Sequence, residues 1–301
     1  MTSFRSRLIS FIFLSTFAIL PVFGQDDDVI KVDSSIVVIN ATVRDSENRP
    51  ITGLQKSQFK IFEDGVEQPI STFETEESPF AAVVLLDTSG SMSARISMAR
   101  SAAINFLDGL RAGDVAAIYN FDSKVARVQD FSESRDVLDK IFDLRANGMT
   151  VLNDAILEAA TQLNGRSERR RAIIVVSDGA DTQSRASTDK AIKAALAVNA
   201  IVYTVDMSPI DTGGRDRLQN QGVLKKFAEK TGGFFISSEN GLALRSALRS
   251  IADELRGQYT LTYSPTQLKH DGKWHTLEVR ISLPNLLIRT RQGYNSPKLK
   301  S

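Results

Sequence analysis

Cysteine is missing from the 301 residues, and histidine occurs only twice, at His270 and His275. The first absence excludes disulfides, thiolate nucleophiles and cysteine-based zinc or iron–sulfur sites. The second leaves any mechanism that needs an imidazole base with two candidates. Excess charge of either sign is missing as well. Lys and Arg number 37 against 36 Asp and Glu, a net charge of +1, which gives no electrostatic case for nucleic acid or an anionic membrane. The one basic run, Arg166 to Arg171, reads as a solvated loop. No apolar run reaches the roughly 20 residues that a spanning helix needs.

The N-terminus carries a shorter run. Arg5 and Arg7 precede the apolar stretch Leu8 to Leu20, and small residues, Val22 and Gly24, precede Gln25. That order predicts a secretory signal peptide over residues 1–24, cleaved before Gln25, with an uncleaved anchor as the lesser alternative. No cysteine follows for lipid attachment. The expected location is therefore outside the cytoplasm, in the periplasm or beyond, with no transmembrane segment after cleavage.

The remainder has the balance of an ordinary soluble protein, 42% hydrophobic and 24% charged. Residues 25–79 form a β region: Ser35 to Val43 is rich in β-branched residues, and Phe59 to Phe62 and Val66 to Phe73 flank the turn Glu63-Asp64-Gly65. Residues 80–255 alternate short apolar runs with helical stripes. The runs are Ala81 to Leu86, Val115 to Phe121, Ala172 to Ser177, Ala200 to Val205 and Phe234 to Ile236, with Val125 to Val128 as a short edge. Helical spacing covers Ala94 to Leu110, Val151 to Leu163, Ala186 to Val198, Leu224 to Lys230 and Leu242 to Leu255. Continuous apolar strands are what burial on both faces requires. The expected fold class is therefore α/β, a doubly wound, Rossmann-like and mostly parallel sheet with helices on both faces. Residues 256–301 return to β texture, and this tail and the 30–79 segment are expected to build one β sandwich together. Ser208 to Gly222 reads as a long polar loop.

The sharpest local feature is Asp87-Thr88-Ser89-Gly90-Ser91, between the first buried strand and the first long helix. Ligands collect at the carboxyl ends of strands in such sheets. A carboxylate and two hydroxyls on alternate residues can converge on a hard cation, and oxygen-only donors select Mg²⁺, Mn²⁺ or Ca²⁺. The same residues are also ordinary helix N-caps. Asp178, just after the strand that ends at Ser177, and Thr150, just before a helix, would add a carboxylate and a hydroxyl at the same edge.

With Gly148-Met149-Thr150-Val151-Leu152-Asn153-Asp154-Ala155 and Ser177-Asp178-Gly179 in order behind Asp87 to Ser91, the region from about Phe80 to Leu255 resembles a von Willebrand factor type A domain with a metal-ion-dependent adhesion site. The flanks are similar to those of an exported bacterial subgroup of this domain. The resemblance implies that Ser89, Ser91 and Thr150 ligate one Mg²⁺ (or Mn²⁺ or Ca²⁺) directly, and that Asp87 and Asp178 do so directly or through water. It also implies a protein partner whose Asp or Glu carboxylate completes the coordination. Met149, where relatives often carry a second glycine, and Asp206, where a small residue is usual, depart from the pattern.

Other acidic residues have plainer readings. Asp154 favours a structural role at a helix start, Asp181 a turn or cap, and Asp122 a turn, while Asp181, Asp206 and Asp122 are the candidates for a partner-binding rim. Trp274 and His275 fit sandwich core and surface better than a ligand pair. Histidine and cysteine are missing from 80–255, and so is any Gly-x-Ser-x-Gly elbow or phosphate-cradling loop. The expected function is accordingly a metal-dependent binding module and not an enzyme. The alternatives are a metal-independent scaffold with a vestigial site and, further off, a metal-assisted hydrolase.

Overall fold

Apolar runs too continuous for a half-exposed strand have a single outlet, the middle of a sheet covered on both sides. In the computed structural model this sheet is the spine of the molecule. The structure describes residues 36–47, 49–75, 78–133, 138–209, 214–238, 240–267 and 270–297. The expected signal peptide and the acidic residues Asp26 to Asp28 lie outside the described residues.

The chain enters through β1 (Val37–Asp45), β2 (Phe59–Glu63), β3 (Val66–Gln68) and β4 (Thr72–Glu74). It continues through β5 (Phe80–Asp87), α1 (Ile96–Asp108), β6 (Val115–Phe121), β7 (Val125–Ser132), α2 (Leu138–Phe142) and α3 (Leu152–Leu163). Then come β8 (Arg170–Ser177), α4 (Thr188–Ala197), β9 (Ala200–Asp206), α5 (Arg215–Thr231), β10 (Phe235–Ser237) and α6 (Gly241–Arg256). It leaves through β11 (Tyr259–Tyr263), β12 (Trp274–Ile281), β13 (Leu286–Arg289) and β14 (Gly293–Asn295).

The central sheet has six strands in the order β10-β9-β8-β5-β6-β7. All its pairs are parallel except β6 with β7, which closes the edge as an antiparallel hairpin. Side-chain alternation along β5 divides the core in two. Phe80, Ala82, Val84 and Leu86 pack with α1 and α6, and Ala81, Val83 and Leu85 pack with α3, α4 and α5. All seven are fully buried, and each larger aliphatic among them contributes about 1.5–3 kcal/mol.

Two four-stranded antiparallel sheets, β13-β1-β11-β4 and β14-β12-β2-β3, make the second layer system. Each takes strands from both ends of the chain, and they share one core of Val37, Ile39, Phe59, Ile61, Tyr259, Leu261, Leu277 and Val279. Strand β12 alternates buried and exposed residues along its length, the pattern of a sheet with one wet face. This is the sandwich expected from both flanks.

Two expectations change. Polar Ser208 to Gly222 is not loop throughout, because α5 begins at Arg215. Its first two turns face outward and carry no apolar stripe, so periodicity could not reveal them. Nor is the Arg166–Arg171 run all solvated. Arg170 is fully buried, and its guanidinium donates to the main-chain carbonyls of Leu255, Arg256 and Gln258. These lie at and beyond the end of α6, where unpaired carbonyls attract a cation. Nearby, Glu254 accepts from Arg44 of β1 at 2.6 Å, Arg289 of β13 at 2.5 Å and Tyr203 of β9 at 3.0 Å. One carboxylate thus ties α6 to both layer systems.

Helix α5 stops, as expected, at Thr231-Gly232-Gly233. Gly232 caps it with φ +89°, and a Cβ on Gly233 would lie 2.1 Å from the Val202 carbonyl oxygen. Backbone cannot retreat as a side chain can, so Gly233→Ala should cost toward the upper end of about 1–3 kcal/mol. Urea denaturation measures it, and a loss below about 0.5 kcal/mol would mean that β9 and β10 can separate there freely.

Candidate metal centre

Three chain segments meet at the carboxyl edge of the central sheet because β5 and β8 are neighbours in register, Leu86 opposite Val176. The next residues, Asp87 and Ser177, are therefore side by side. Ser177 Oγ donates to Asp87 Oδ2 at 2.5 Å, and Ser89 N–H donates to Asp87 Oδ1 at 2.9 Å. Beyond Ser89 the chain makes a single 3-10 turn, Gly90–Met92, anchored by the fully buried Met92. That turn brings Ser91 back toward Ser89, with the two Oγ atoms 3.1 Å apart.

The loop before α3 is stitched to this turn through main chain. Asn147 N–H donates to Thr88 C=O at 2.8 Å, and Gly90 N–H donates to Gly148 C=O at 3.1 Å. Gly148 has φ +79°, a conformation costly for other residues, and a Cβ there would lie 2.6 Å from Ser123 Oγ. Thr150 follows, its N–H bonded to Thr182 Oγ1 and its carbonyl accepting from the Thr182 and Gln183 N–H groups. Asp178 accepts from Ala180 N–H through Oδ1, and its carbonyl accepts from Ser208 Oγ.

Asp87, Ser89, Thr150 and Asp178 are buried, at 0%, 1%, 3% and 8% exposure, and Ser91 is exposed. The helix-cap reading of Asp87, Ser89 and Ser91 does not describe this geometry. Helix α1 starts only at Ile96, its cap position is Arg95, and no side chain caps it; Ser89 makes no cap bond to the 3-10 turn either. Burial pushes the Asp87 carboxyl up to about 6, against the opposing pull of the Ser177 and Ser89 hydrogen bonds, with the Asp178 charge adding to the rise. A buried carboxylate in that condition favours a cationic neighbour.

The donor set suits one hard dication. Among the described residues no group bonds the Thr150 hydroxyl or Asp178 Oδ2. Together with Ser89 Oγ, Ser91 Oγ and Asp87, these supply only oxygens, the chemistry of Mg²⁺, Mn²⁺ or Ca²⁺.

The rim candidates have other work. Asp206 is fully buried, and its carboxylate accepts from Ser208 N–H and Oγ, Gln221 Nε2 and Ser237 Oγ. It braces the β9 end against α5 and presents nothing to a partner. Asp181 accepts from Asn153 N–H at the start of α3 and from Ser184 N–H in its own turn. Asp122 closes a turn on Lys124 N–H. Asp154 receives Arg185 and Ala186 N–H groups, the structural role expected of it. Sequence reasoning missed Ser177, whose hydroxyl holds Asp87; a polar residue ending an otherwise apolar strand was its only trace. Met149, 52% exposed, is the large apolar group beside Thr150.

Residues 82–180, which span all three loops, match the family model of the von Willebrand factor type A domain. Among solved structures, a von Willebrand factor type A protein from Catenulispora acidiphila aligns at 12% identity and TM-score 0.51, over 89% of this chain and 76% of that one. An aerotolerance-related membrane protein from Bacteroides fragilis aligns at 20% identity and TM-score 0.50, covering 59% and 98%. The vWF domain of the type V pili tip protein Mfa5 from Porphyromonas gingivalis aligns at 15% and 0.50, covering 58% and 94%. At these identities the structures share a fold with this chain and nothing further follows from them. No protein of the curated set matches the sequence.

Proposed function

Since residues 82–180 match the family model of the von Willebrand factor type A domain, we propose that the chain is an exported, non-catalytic binding module that grips a protein partner through one divalent cation. Mg²⁺ is the expected ion, with Mn²⁺ or Ca²⁺ as substitutes. Ser89, Ser91 and Thr150 hold it directly, and Asp87 and Asp178 directly or through water. The observation that supports this best is the unspent donor set: Asp87, Ser89, Ser91, Thr150 and Asp178 lie on three loops at one sheet edge, the Asp87–Ser91 turn caps neither the helix at Ile96 nor the 3-10 turn, and no described group bonds Thr150 Oγ1 or Asp178 Oδ2.

Two carboxylates only neutralise a dication, and Mg²⁺ keeps waters in its octahedral shell. A partner's Asp or Glu that replaces one such water gains a charge contact sheltered from solvent. Exposed Met149 lies where such a partner would dock. The predicted signal peptide supplies the exported location.

Calorimetric titration with Mg²⁺ and Mn²⁺, with acetate present as a surrogate carboxylate, tests this reading. The expected result is one ion bound by the parent and none by Asp87→Ala or Ser89→Ala. Equal heats for parent and variants, or none from any, would leave a metal-free scaffold as the better description.

A further inference from the structure

Far along the sequence from the metal centre, the β sandwich gathers another set of ligand atoms. Strands β2 and β12 pair with Glu63 opposite Leu277, which carries the Glu63-Asp64 turn to the side chain of His275. One ligand atom from each of Glu63, Asp64 and His275 lies within 4.8 Å of the others. His275 Nδ1 is 2.7 Å from Asp64 Oδ2 and 3.6 Å from Glu63 Oε1. Across the ring, Nε2 is 3.7 Å from Asp271 Oδ1 and has no hydrogen-bond partner, although His275 is only 3% exposed.

A neutral imidazole has one N–H and one lone pair. With carboxylates facing both nitrogens, either tautomer aims its lone pair at an acidic oxygen inside the protein. A second proton would remove that conflict but leave three carboxylates around one imidazolium, with Lys273, 78% exposed and 3.8 Å from Asp271, as the nearby counter-charge. A dication on Nδ1 does more. It neutralises Glu63 and Asp64 and leaves Nε2–H for Asp271, the carboxylate-behind-histidine arrangement that orients metal-bound imidazoles. Asp271 is already fixed for that task by Lys273 N–H at 2.9 Å and Ser296 Oγ at 2.7 Å.

We propose that His275 Nδ1, Glu63 and Asp64 form a second divalent-cation site, of the zinc type, with Asp271 positioning the imidazole. Mixed nitrogen and oxygen donors select Zn²⁺ over Mg²⁺. Bonds of about 2.0–2.2 Å set tetrahedral ligands about 3.3 Å apart. Glu63 is near that separation from Nδ1, and Asp64 must withdraw by about half an ångström. Its Oδ1 is held by Thr276 N–H and Oγ1 at 2.9 and 3.1 Å, so the shift is a rotation of the partly exposed carboxylate about that anchor, carrying Oδ2 outward. The same exposure leaves the fourth position open to water. This site owes nothing to the first: it uses nitrogen, which the sheet-edge centre has none of, and it stands if that centre proves vestigial.

Zn²⁺ alone, titrated into the full chain and its variants, tests the proposal. Asp87→Ala, which disables the first centre, is expected to retain one bound Zn²⁺, and adding His275→Gln should abolish it. Asp64→Asn should abolish it too without unfolding the protein, since asparagine tolerates the φ of +49° at that position. Asp271→Asn should weaken binding by about 10–100-fold. With Cu²⁺ as the probe, paramagnetic resonance of the Asp87→Ala protein should show coupling to one imidazole nitrogen that vanishes in His275→Gln. Absence of Zn²⁺ binding at micromolar concentration in Asp87→Ala, or nitrogen coupling that survives His275→Gln, overturns the proposal.

Discussion

Glu254→Ala is expected to destabilise the protein by about 3 kcal/mol, the lower end of the range for breaking a buried ion pair. The Glu254 side chain is 1% exposed, whereas its partners Arg44 and Arg289 are 17% and 30% exposed. Once the carboxylate is gone, two guanidiniums and the Tyr203 hydroxyl lose this shared acceptor together, but Arg289 keeps the Gly232 carbonyl and the arginines recover some hydration, which holds the loss to the lower end. Arg289→Ala alone should cost less, because Arg44 and Tyr203 still satisfy Glu254. Urea denaturation of both single variants and the double variant measures this. A double variant no worse than Glu254→Ala places the coupling in that carboxylate, and a Glu254→Ala loss below about 1 kcal/mol would contradict it.

The second large effect concerns pH in the absence of metal. Burial raises Asp87 from its ordinary 3.8 to about 6 in the folded protein. Between those values the folded state holds a proton that the unfolded state has released, so stability falls as pH rises through the window. Two units correspond to about 3 kcal/mol. Asp64 and Asp271, both lowered to about 2, act in the opposite sense and below pH 4. In chelator, then, the parent should lose stability from pH 4 to 6.5, and Asp87→Asn, neutral throughout, should not. Saturating Mg²⁺ should restore the loss at pH 7.5 and contribute little at pH 5, where it must displace the proton. Thermal unfolding with and without Mg²⁺ reads all three, and parallel pH profiles for parent and Asp87→Asn would refute the assignment.

The spine of the fold was readable because β5, β6, β8 and β9 are buried on both faces and so are written in unbroken aliphatic residues. What escaped were features that depend on partners distant in sequence. The outward half of α5 carries no stripe, and Arg170 looks like any residue of a basic loop until the end of α6 arrives above it. At the candidate metal centre, Asp87, Ser89 and Ser91 were legible as a turn with two meanings. Only the position of the first helical residue, Ile96, removed the cap as a use for them. Asp206 illustrates the converse, an acidic residue at a strand end whose four hydrogen bonds turn it inward. The cluster around His275 could not be read at all, since Asp64 and His275 are 211 positions apart.

Strand β4 pairs with β11, Thr72 opposite Thr262, so the chain leaves the sandwich and returns to it at nearly the same place. Tension between the two ends of the protein is therefore borne by the interleaved strands of the sandwich, and the α/β excursion between β4 and β11 hangs outside the line of force. Under such end-to-end tension the hydrogen-bond ladders of the central sheet stay unloaded until the sandwich itself gives way, whereas the pull of a cation-held partner at its carboxyl edge would pass through that sheet to the β4–β11 anchor.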